Sequence, residues 1–165
     1  MGKTLDGLKA AFAGESQANR RYLAFAKKAD EEGYPGIARL FRAAAAAETI
    51  HALNHFKAMG GVNATPANLE AAISGENYEV NTMYPEFIQD AESEGEKKAL
   101  TSFHWAWEVE KVHEDLFRKA LKDPASVSAE VEYYVCPFCG YTHEGTPPEK
   151  CPVCGTPRNK FEKVE

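Results

Sequence analysis

The chain has 165 residues, 44% of them apolar, which allows one medium domain with a small appendage. Its formal net charge of −6 argues against a nucleic-acid partner, because phosphate binding needs a clustered basic surface. There is no charged-then-apolar leader at Met1 and no apolar run long enough to span a bilayer, so we expect a soluble protein without membrane attachment.

Four helices are predicted over the first three quarters of the chain. Apolar residues recur at helical spacing in a segment rich in Ala, Leu, Glu and Lys. Turn residues interrupt this pattern at 33–35, 60–66 and 95. The predicted helices span residues 4–32, 36–59, 67–94 and 96–122, each about 35 to 43 Å long, which is typical of a four-helix bundle. Pro85 predicts either a kink in the third helix or a backbone carbonyl freed one turn earlier.

The composition changes after Asp123, and the last segment carries all four cysteines within nineteen positions. Cysteines so close together cannot form a disulfide framework for the whole chain, so a reducing cytoplasm is expected. Residues 133–135 predict a short strand. The predicted organisation is a helical domain over 1–123, a linker over 124–131 and a cysteine domain over 132–165.

An internal repeat relates the two predicted helix pairs. Gly33 and Gly95 follow matching segments, and each is followed fifteen residues later by a Glu and eighteen residues later by a His. Upstream, one Glu lies eighteen residues before Gly33, and two lie nineteen and sixteen residues before Gly95. The repeated acidic and imidazole residues are Glu15, Glu48 and His51 in the first half, and Glu76, Glu79, Glu110 and His113 in the second.

These seven residues predict a dinuclear metal site. A Glu-x-x-His pair projects from one stripe of a helix, although a single pair such as Glu110 and His113 would normally be a solvated face. The small residues at 43–47 suggest that Glu48 points inward, where a lone carboxylate would need a compensating cation. A Glu from each of two helices and a Glu-x-x-His from each of the other two is the ligand set of di-iron and di-manganese bundles. Iron is favoured for redox work.

Other polar side chains of the helices are candidates for supporting roles. Tyr22 and Tyr84 occupy similar places in the two halves, and either core packing or hydrogen bonding to a ligand carboxylate or bound oxygen species would suit them. His55 is interpreted as a solvated residue or as one that supports the ligands from behind, and His104 as an ordinary core or surface histidine. Both are left out of the site.

Two Cys-x-x-Cys-Gly turns predict a second metal centre in the tail. Each turn presents two thiolates to one ion, and four thiolates form a tetrahedral site for iron or zinc. A structural zinc knuckle remains an alternative, whereas disulfide exchange is less expected for four clustered cysteines. The predicted ligands are Cys136, Cys139, Cys151 and Cys154.

The motifs together resemble those of rubrerythrin, a ferritin-like di-iron protein with a rubredoxin-like tail. The resemblance covers essentially the whole chain and is carried by residues 12–18, 48–51, 75–85, 110–113 and 136–141. It implies a ferritin-like four-helix bundle with a small C-terminal rubredoxin-like knuckle. The short loop between the second and third helices departs from the family pattern and bears on subunit assembly.

The resemblance also implies ligand roles and an activity. Glu48 and Glu110 would bridge two irons, Glu15, Glu76 and His113 would be terminal ligands, and Glu79 and His51 would alternate on one iron. The implied enzyme is a peroxidase in oxidative-stress defence that reduces hydrogen peroxide to water. Its electrons would arrive from an external NAD(P)H-linked reductase or rubredoxin through the tail iron, which in rubrerythrins reaches the partner subunit's site in a homodimer or higher homo-oligomer.

A second hypothesis is a ferritin-like ferroxidase or iron-binding protein with a structural four-cysteine tail that holds zinc or iron. A storage protein does not need an electron-relay tail, so the cysteines favour the enzyme. A third hypothesis is a structural adaptor whose zinc-bound tail docks a partner.

Overall fold

The computed structural model describes residues 2–127 and 130–165. The chain is mostly helical and ends in a small strand region that carries the cysteines, as predicted. Contacts divide it into two compact units, one ending at Asn63 and the other beginning at Ala64. The linker over 124–131 stays a prediction, and Ser128 and Ala129 within it lie outside the described residues. Among the helices of the described residues, none combines the length and the apolar character needed to cross a membrane.

The first unit is a hairpin of α1 (Lys3–Glu31) and α2 (Pro35–Ala58). The turn between them uses Gly33 at a φ of 79°, a left-handed conformation that glycine adopts without a steric penalty. Small side chains let the helices approach closely, and the buried apolar positions are all alanines: Ala18, Ala26, Ala29, Ala38, Ala45 and Ala52. Buried Asn19 ties the helices together, because its Nδ2 donates to the Ala45 carbonyl at 2.7 Å and to Thr49 Oγ1 at 2.8 Å.

The second unit begins with the predicted third helix, which the structure divides into three consecutive segments. These are α3 (Thr65–Tyr78), a π-helical segment (Glu79–Met83) and α4 (Tyr84–Glu94). A turn at Gly95 leads to α5 (Lys97–Lys122). All four predicted helix ranges match the observed boundaries within two residues. A π-helical segment ends two residues before Pro85, and the kink at that proline stays a prediction.

The π-helical segment explains a one-residue offset in the repeat. Glu15 lies seven residues before Tyr22, whereas Glu76 lies eight residues before Tyr84. A π-helical turn accommodates one extra residue within a continuous helix, so both Glu side chains keep their place relative to the following turns. Glu79 is the first residue of the π-helical segment, and it gives the second half a carboxylate that the first half lacks.

Trp107 of α5 satisfies a backbone group that the π-helical segment leaves free. The Tyr84 N–H bonds to the carbonyl five residues earlier, and the same pattern would pair Pro85 with Val80. Proline has no N–H to donate. The indole Nε1 of Trp107 donates to the Val80 carbonyl instead, at 2.8 Å.

The tail of the second unit is a three-stranded antiparallel sheet with two cysteine turns. The strands are β1 (Tyr133–Val135), β2 (Thr142–Glu144) and β3 (Glu162–Val164), in the order β2-β1-β3. In the β1–β2 register Tyr134 faces His143, and in the β1–β3 register it faces Lys163. The ammonium of Lys119 on α5 lies 2.6 Å from Glu144 Oε1 on β2, so the tail is attached to the last helix of its own chain.

Candidate metal centres

The four cysteine sulfurs of the tail form a cage for one ion. Their Sγ atoms all lie within 4.8 Å of one another, with 3.6 Å between Cys136 and Cys154 and 3.5 Å between Cys139 and Cys151. A disulfide would require about 2.05 Å. A tetrahedral site with metal–sulfur bonds of about 2.3 Å has sulfur–sulfur edges of about 3.8 Å. The geometry therefore fits a tetrathiolate metal site.

The surroundings of one of the four cysteines, Cys154, favour its deprotonated form. Burial by itself would raise the pKa of Cys154, but hydrogen bonds from the Thr156 side chain and backbone lower it to about 7. Burial raises the pKa of Cys139 and of Cys151. A divalent or trivalent cation reverses this desolvation cost, because thiolates bind metals in the deprotonated form.

The first unit brings three of the predicted ligands together. The ligand atoms of Glu15 on α1 and of Glu48 and His51 on α2 lie within 4.8 Å of one another. His51 Nδ1 is 2.9 Å from Glu48 Oε2, as expected for a Glu-x-x-His pair on one helical stripe. The Glu48 side chain is 18% exposed and that of His51 is 54% exposed. We call this trio the first half-site.

The second unit brings together the equivalent trio, which we call the second half-site. Glu76 on α3 and Glu110 and His113 on α5 have ligand atoms within 4.8 Å of one another. His113 Nδ1 lies 2.7 Å from Glu110 Oε2 and 3.9 Å from Glu76 Oε1. Each half-site therefore supplies one lone Glu and one Glu-x-x-His pair.

The second half-site concentrates negative charge in a desolvated place. Burial, followed by the neighbouring charge of Glu110, raises the pKa of Glu76 to about 7. Burial and the same neighbour also raise the pKa of Glu79, which lies outside the trio. The hydrogen bond to Glu110 raises the pKa of His113. A bound cation would compete with protons for these groups, because it favours their deprotonated forms.

The two tyrosines predicted as supporting residues lie in equivalent aromatic triads. Tyr22 packs with Phe25 and Phe41 at ring-centroid distances of 6.4 and 6.1 Å. Tyr84 packs with Phe87 and Phe103, both at 6.4 Å. Each member of the second triad lies sixty-two positions after its counterpart in the first. Burial, and then the charge of Glu79, raises the pKa of Tyr84, so its hydroxyl stays protonated beside the carboxylates.

A hydrogen bond joins the second half-site to the cysteine tail. His113 Nε2 lies 2.8 Å from Thr142 Oγ1, and the Thr142 hydroxyl donates to the Gly140 carbonyl at 3.2 Å. Since the hydroxyl proton is used on Gly140, the imidazole must donate its Nε2–H to Thr142. In neutral His113 this leaves the Nδ1 lone pair facing the carboxylates, which is the orientation of a metal ligand.

This contact lies within one chain, whereas the resemblance implied that the tail iron reaches the partner subunit's site. Sequence reasoning missed both Thr142 and Trp107 as supporting residues. Thr142 stands three residues after Cys139, and nothing in that spacing indicates which helix it meets. The run at 104–107 is unusually aromatic, and pairing it with Pro85 could have suggested a backbone cap.

The chain matches two family models in succession: "Rubrerythrin" over residues 6–121 and "Rubrerythrin, rubredoxin-like domain" over residues 134–162. It is 38% identical to Rubrerythrin-2 of Clostridium acetobutylicum over 177 residues, covering 96% of this chain and 95% of the relative. It is 41% identical to nigerythrin of Nitratidesulfovibrio vulgaris over 175 residues, covering 98% and 86%. A solved structure described as "Fully reduced state of nigerythrin (all ferrous)" matches with a TM-score of 0.61 at 39% identity, over 99% of this chain and 88% of that chain.

The chain therefore belongs to the rubrerythrin family, a family of oxidoreductases with a di-iron site and a rubredoxin-like four-cysteine site. The predicted family, fold class and pair of metal centres are confirmed. The assignment of individual ligands stays a prediction. The 177-residue span exceeds the 165 residues of this chain, so Rubrerythrin-2 has residues without a counterpart here.

The donor sets suit iron at both places. Carboxylate and imidazole ligands bind metals at about 2.0 to 2.2 Å, so two ligands of one ion are separated by up to about 4.4 Å. The half-site atoms, all within 4.8 Å of one another, are close to this limit without any metal to draw them inward. The cysteine cage suits iron or zinc, since both accept four thiolates in a tetrahedron.

Proposed function

We propose that this chain is a peroxidase that reduces hydrogen peroxide to water at a di-iron site. One turnover would consume one hydrogen peroxide, two electrons and two protons and produce two waters. The electrons would enter from an external NAD(P)H-linked reductase or rubredoxin through the iron of the four-cysteine site. The observation that carries this proposal is the hydrogen bond from His113 to Thr142, because it joins the carboxylate cluster to the cysteine turn.

The proposed electron route runs from the cysteine turn to the second half-site through few atoms. Cys139 is bonded covalently to Gly140, whose carbonyl accepts from Thr142, and Thr142 accepts from His113. The distance from Gly140 to α5 is also short, since a Cβ placed on it would lie 3.9 Å from Val109 Cγ1. A storage protein has no use for such a connection, which favours the peroxidase over the ferroxidase alternative.

Of the seven predicted ligands, five are proposed to bind the ions throughout and two to exchange with each other. A pair of ferrous ions, when bound, supplies two electrons to one O–O bond. Glu48 and Glu110, with Glu15, Glu76 and His113, would hold these ions, and Glu79 and His51 would serve as alternative ligands. Location in a π-helical turn suits Glu79 for this role, because such turns lack the regular α-helical bonding and often occur at functional sites.

One protonated side chain, Tyr84, lies beside the carboxylates of the second half-site. Burial raises the pKa of the Tyr84 hydroxyl, and the charges of nearby carboxylates raise it further. The hydroxyl therefore stays protonated at neutral pH. We propose that Tyr84 donates a hydrogen bond toward the place where peroxide binds.

The test is NADH-dependent peroxide consumption by protein loaded anaerobically with Fe(II) and supplied with a reductase. We expect one NADH oxidised per peroxide, and loss of this coupling in Cys154→Ser, which removes one thiolate of the relay. The same variant should still consume peroxide once when its bundle iron is reduced chemically. Mineral loading without peroxidase turnover in the native chain would refute the proposal and support the ferroxidase alternative.

A further inference from the structure

The two cysteine turns of the tail share one pattern of backbone hydrogen bonds. In each turn the glycine N–H donates to the carbonyl of the first cysteine, at 2.9 Å in both. The N–H of that cysteine donates to the carbonyl of the residue after the glycine, at 2.9 Å in the first turn and 2.7 Å in the second. The residue after the glycine is Tyr141 in the first turn and Thr156 in the second. The turns therefore differ at this position in the side chain and not in the backbone.

The side chains at this position make different contacts. The backbone N–H of Tyr141 bonds to Cys139, and that of Thr156 bonds to Cys154. The Tyr141 hydroxyl lies 3.3 Å from His143 Nδ1. The Thr156 hydroxyl oxygen lies 3.1 Å from Cys154 Sγ. The second turn therefore adds a side-chain hydrogen bond to a cage sulfur, at a position where the first turn supplies only the backbone bond.

The direction of this added bond is fixed once the cage holds an ion. A metal-bound cysteine is a thiolate and has no proton to donate. The hydroxyl of Thr156 must therefore donate to Cys154 Sγ. Thr156 is buried, so water competes little for the bond. Its branched side chain has few χ1 choices, and Pro157 after it favours an extended backbone, so the hydroxyl is held in place in advance.

A hydrogen bond to a cage sulfur stabilises the two oxidation states of an iron site unequally. Four thiolates with ferric iron carry one negative charge, and with ferrous iron they carry two. Reduction by one electron therefore adds negative charge to the cage and requires no proton. A hydrogen-bond donor stabilises the more negative state more strongly. Cys136 is 1% exposed and Cys151 is 3% exposed, so little water shields this effect.

We propose that Thr156 raises the reduction potential of the iron in the four-cysteine site by donating its hydroxyl hydrogen to Cys154 Sγ. Thr156 acts through a ligand and does not bind the metal, so it is a positioning residue. A higher potential lets the tail accept an electron from a weaker reductant and lowers the driving force for passing it on. This inference rests on the relay that the proposed function assigns to the tail, but the potential itself is measured without peroxide.

The added bond and the proposed electron route involve different sulfurs. The route leaves the cage at Cys139 and reaches His113 through Gly140 and Thr142. Thr156 bonds to Cys154 instead. Loss of the Thr156 hydroxyl should therefore change the driving force and leave the contact with His113 in place. Loss of the Thr142 hydroxyl should do the reverse, so the two threonines can be tested against each other.

Two substitutions at Thr156 test the proposal in the full-length, iron-loaded protein. Thr156→Val keeps the branched shape and removes the hydroxyl, whereas Thr156→Ser keeps the hydroxyl. The potential is measured by redox titration of the red absorption of the ferric tetrathiolate. We expect the equilibrium constant for reduction to fall about tenfold in the Val variant, which lowers the potential by about 59 mV, and to stay close to the native value in the Ser variant. Thr146→Val is the matched control, because it removes an exposed threonine hydroxyl from the same tail and should leave the potential unchanged.

The rates of electron transfer supply a second measurement. With one donor of fixed potential, the tail iron of Thr156→Val should be reduced to a smaller extent than that of the native protein. Once reduced, it should be reoxidised by peroxide no more slowly than the native site, since its driving force is larger. Thr142→Val should instead be reoxidised more slowly at an unchanged potential. Slow reoxidation of Thr156→Val at the native potential would contradict the assignment.

A native potential in Thr156→Val would overturn the proposal, as would an equal fall in the Val and Ser variants or in the Thr146→Val control. Thr156→Ala is a second variant in case the valine side chain disturbs the cage, and the tetrathiolate absorption reports whether the cage is intact. Failure of both variants to bind iron would also overturn the proposal and leave the hydroxyl a purely structural role. A lowered potential in Thr156→Val, in a protein whose native form has no peroxidase turnover, would refute the proposed reaction alone.

Discussion

Replacing Trp107 with Phe tests whether its indole supports the π-helical segment. The substitution keeps an aromatic ring on α5 but removes the Nε1–H that donates to the Val80 carbonyl at 2.8 Å. An unpaired buried carbonyl costs about 1 to 3 kcal/mol, and this one is only half-buried. Loss of the indole also weakens the contact with Lys111, whose Nζ lies 3.3 Å from the ring centroid, by about 0.5 to 1 kcal/mol. We expect a total destabilisation of about 1 to 2 kcal/mol.

The free energy of unfolding is measured by guanidinium titration followed by circular dichroism, at one fixed protein concentration and after metal removal. Trp105→Phe is the matched control, since it makes the same change two residues earlier on the same half-buried stretch of α5. The control should lose clearly less stability than the Trp107 variant. Equal losses in the two variants would refute the capping role and leave only the volume of the indole to explain them.

Three further predictions concern the metal centres. Glu48→Ala should abolish bundle iron while the red absorption of the tetrathiolate iron persists, because the two ligand sets are separate; simultaneous loss of both signals would contradict this. Thr142→Val should leave both kinds of iron bound but slow reoxidation of the reduced tetrathiolate iron by peroxide, roughly tenfold or more, measured by stopped-flow absorbance. In the metal-free protein the raised pKa of Glu76, about 7 against 4.5, makes the folded state bind more protons than the unfolded state between those values. The contribution of Glu76 to the stability of the metal-free protein therefore falls as pH rises through that window. The stabilisation by Fe(II), measured in unfolding titrations, should grow from about pH 5 to about pH 8.

The helices and the cysteine cage could be predicted because their signals are local. Apolar spacing and turn residues placed all four helix ranges within two residues, and the paired Cys-x-x-Cys-Gly turns identified one site directly. The repeat predicted which carboxylates and imidazoles belong together. The repeat could not show how Glu76 keeps its position despite the one-residue offset. A bulge in the helix and a loop can each accommodate one extra residue, and the spacing does not distinguish them.

Contacts between distant segments of the chain could not be predicted from the sequence. Thr142 and His113 are separated by 29 positions, and the bond between them depends on how the tail sheet docks on α5. Trp107 and Val80 are 27 positions apart, and their contact depends on the π-helical turn that precedes Pro85. Both are polar contacts whose partners follow from packing, so residue type alone predicts neither.

The two halves of the internal repeat differ in ways that favour different roles at the proposed site. Counted from the lone Glu of each half, buried Ala18 of α1 occupies the place that Glu79 holds in the second half. His51 is largely exposed, whereas His113 is fixed between Glu110 and Thr142. The extra carboxylate and the connection to the tail thus both lie in the second unit. Under the proposed function, ligand adjustment by Glu79 and electron entry through Thr142 would both belong to the second unit, and the first unit would supply Glu15, Glu48 and His51 as ligands.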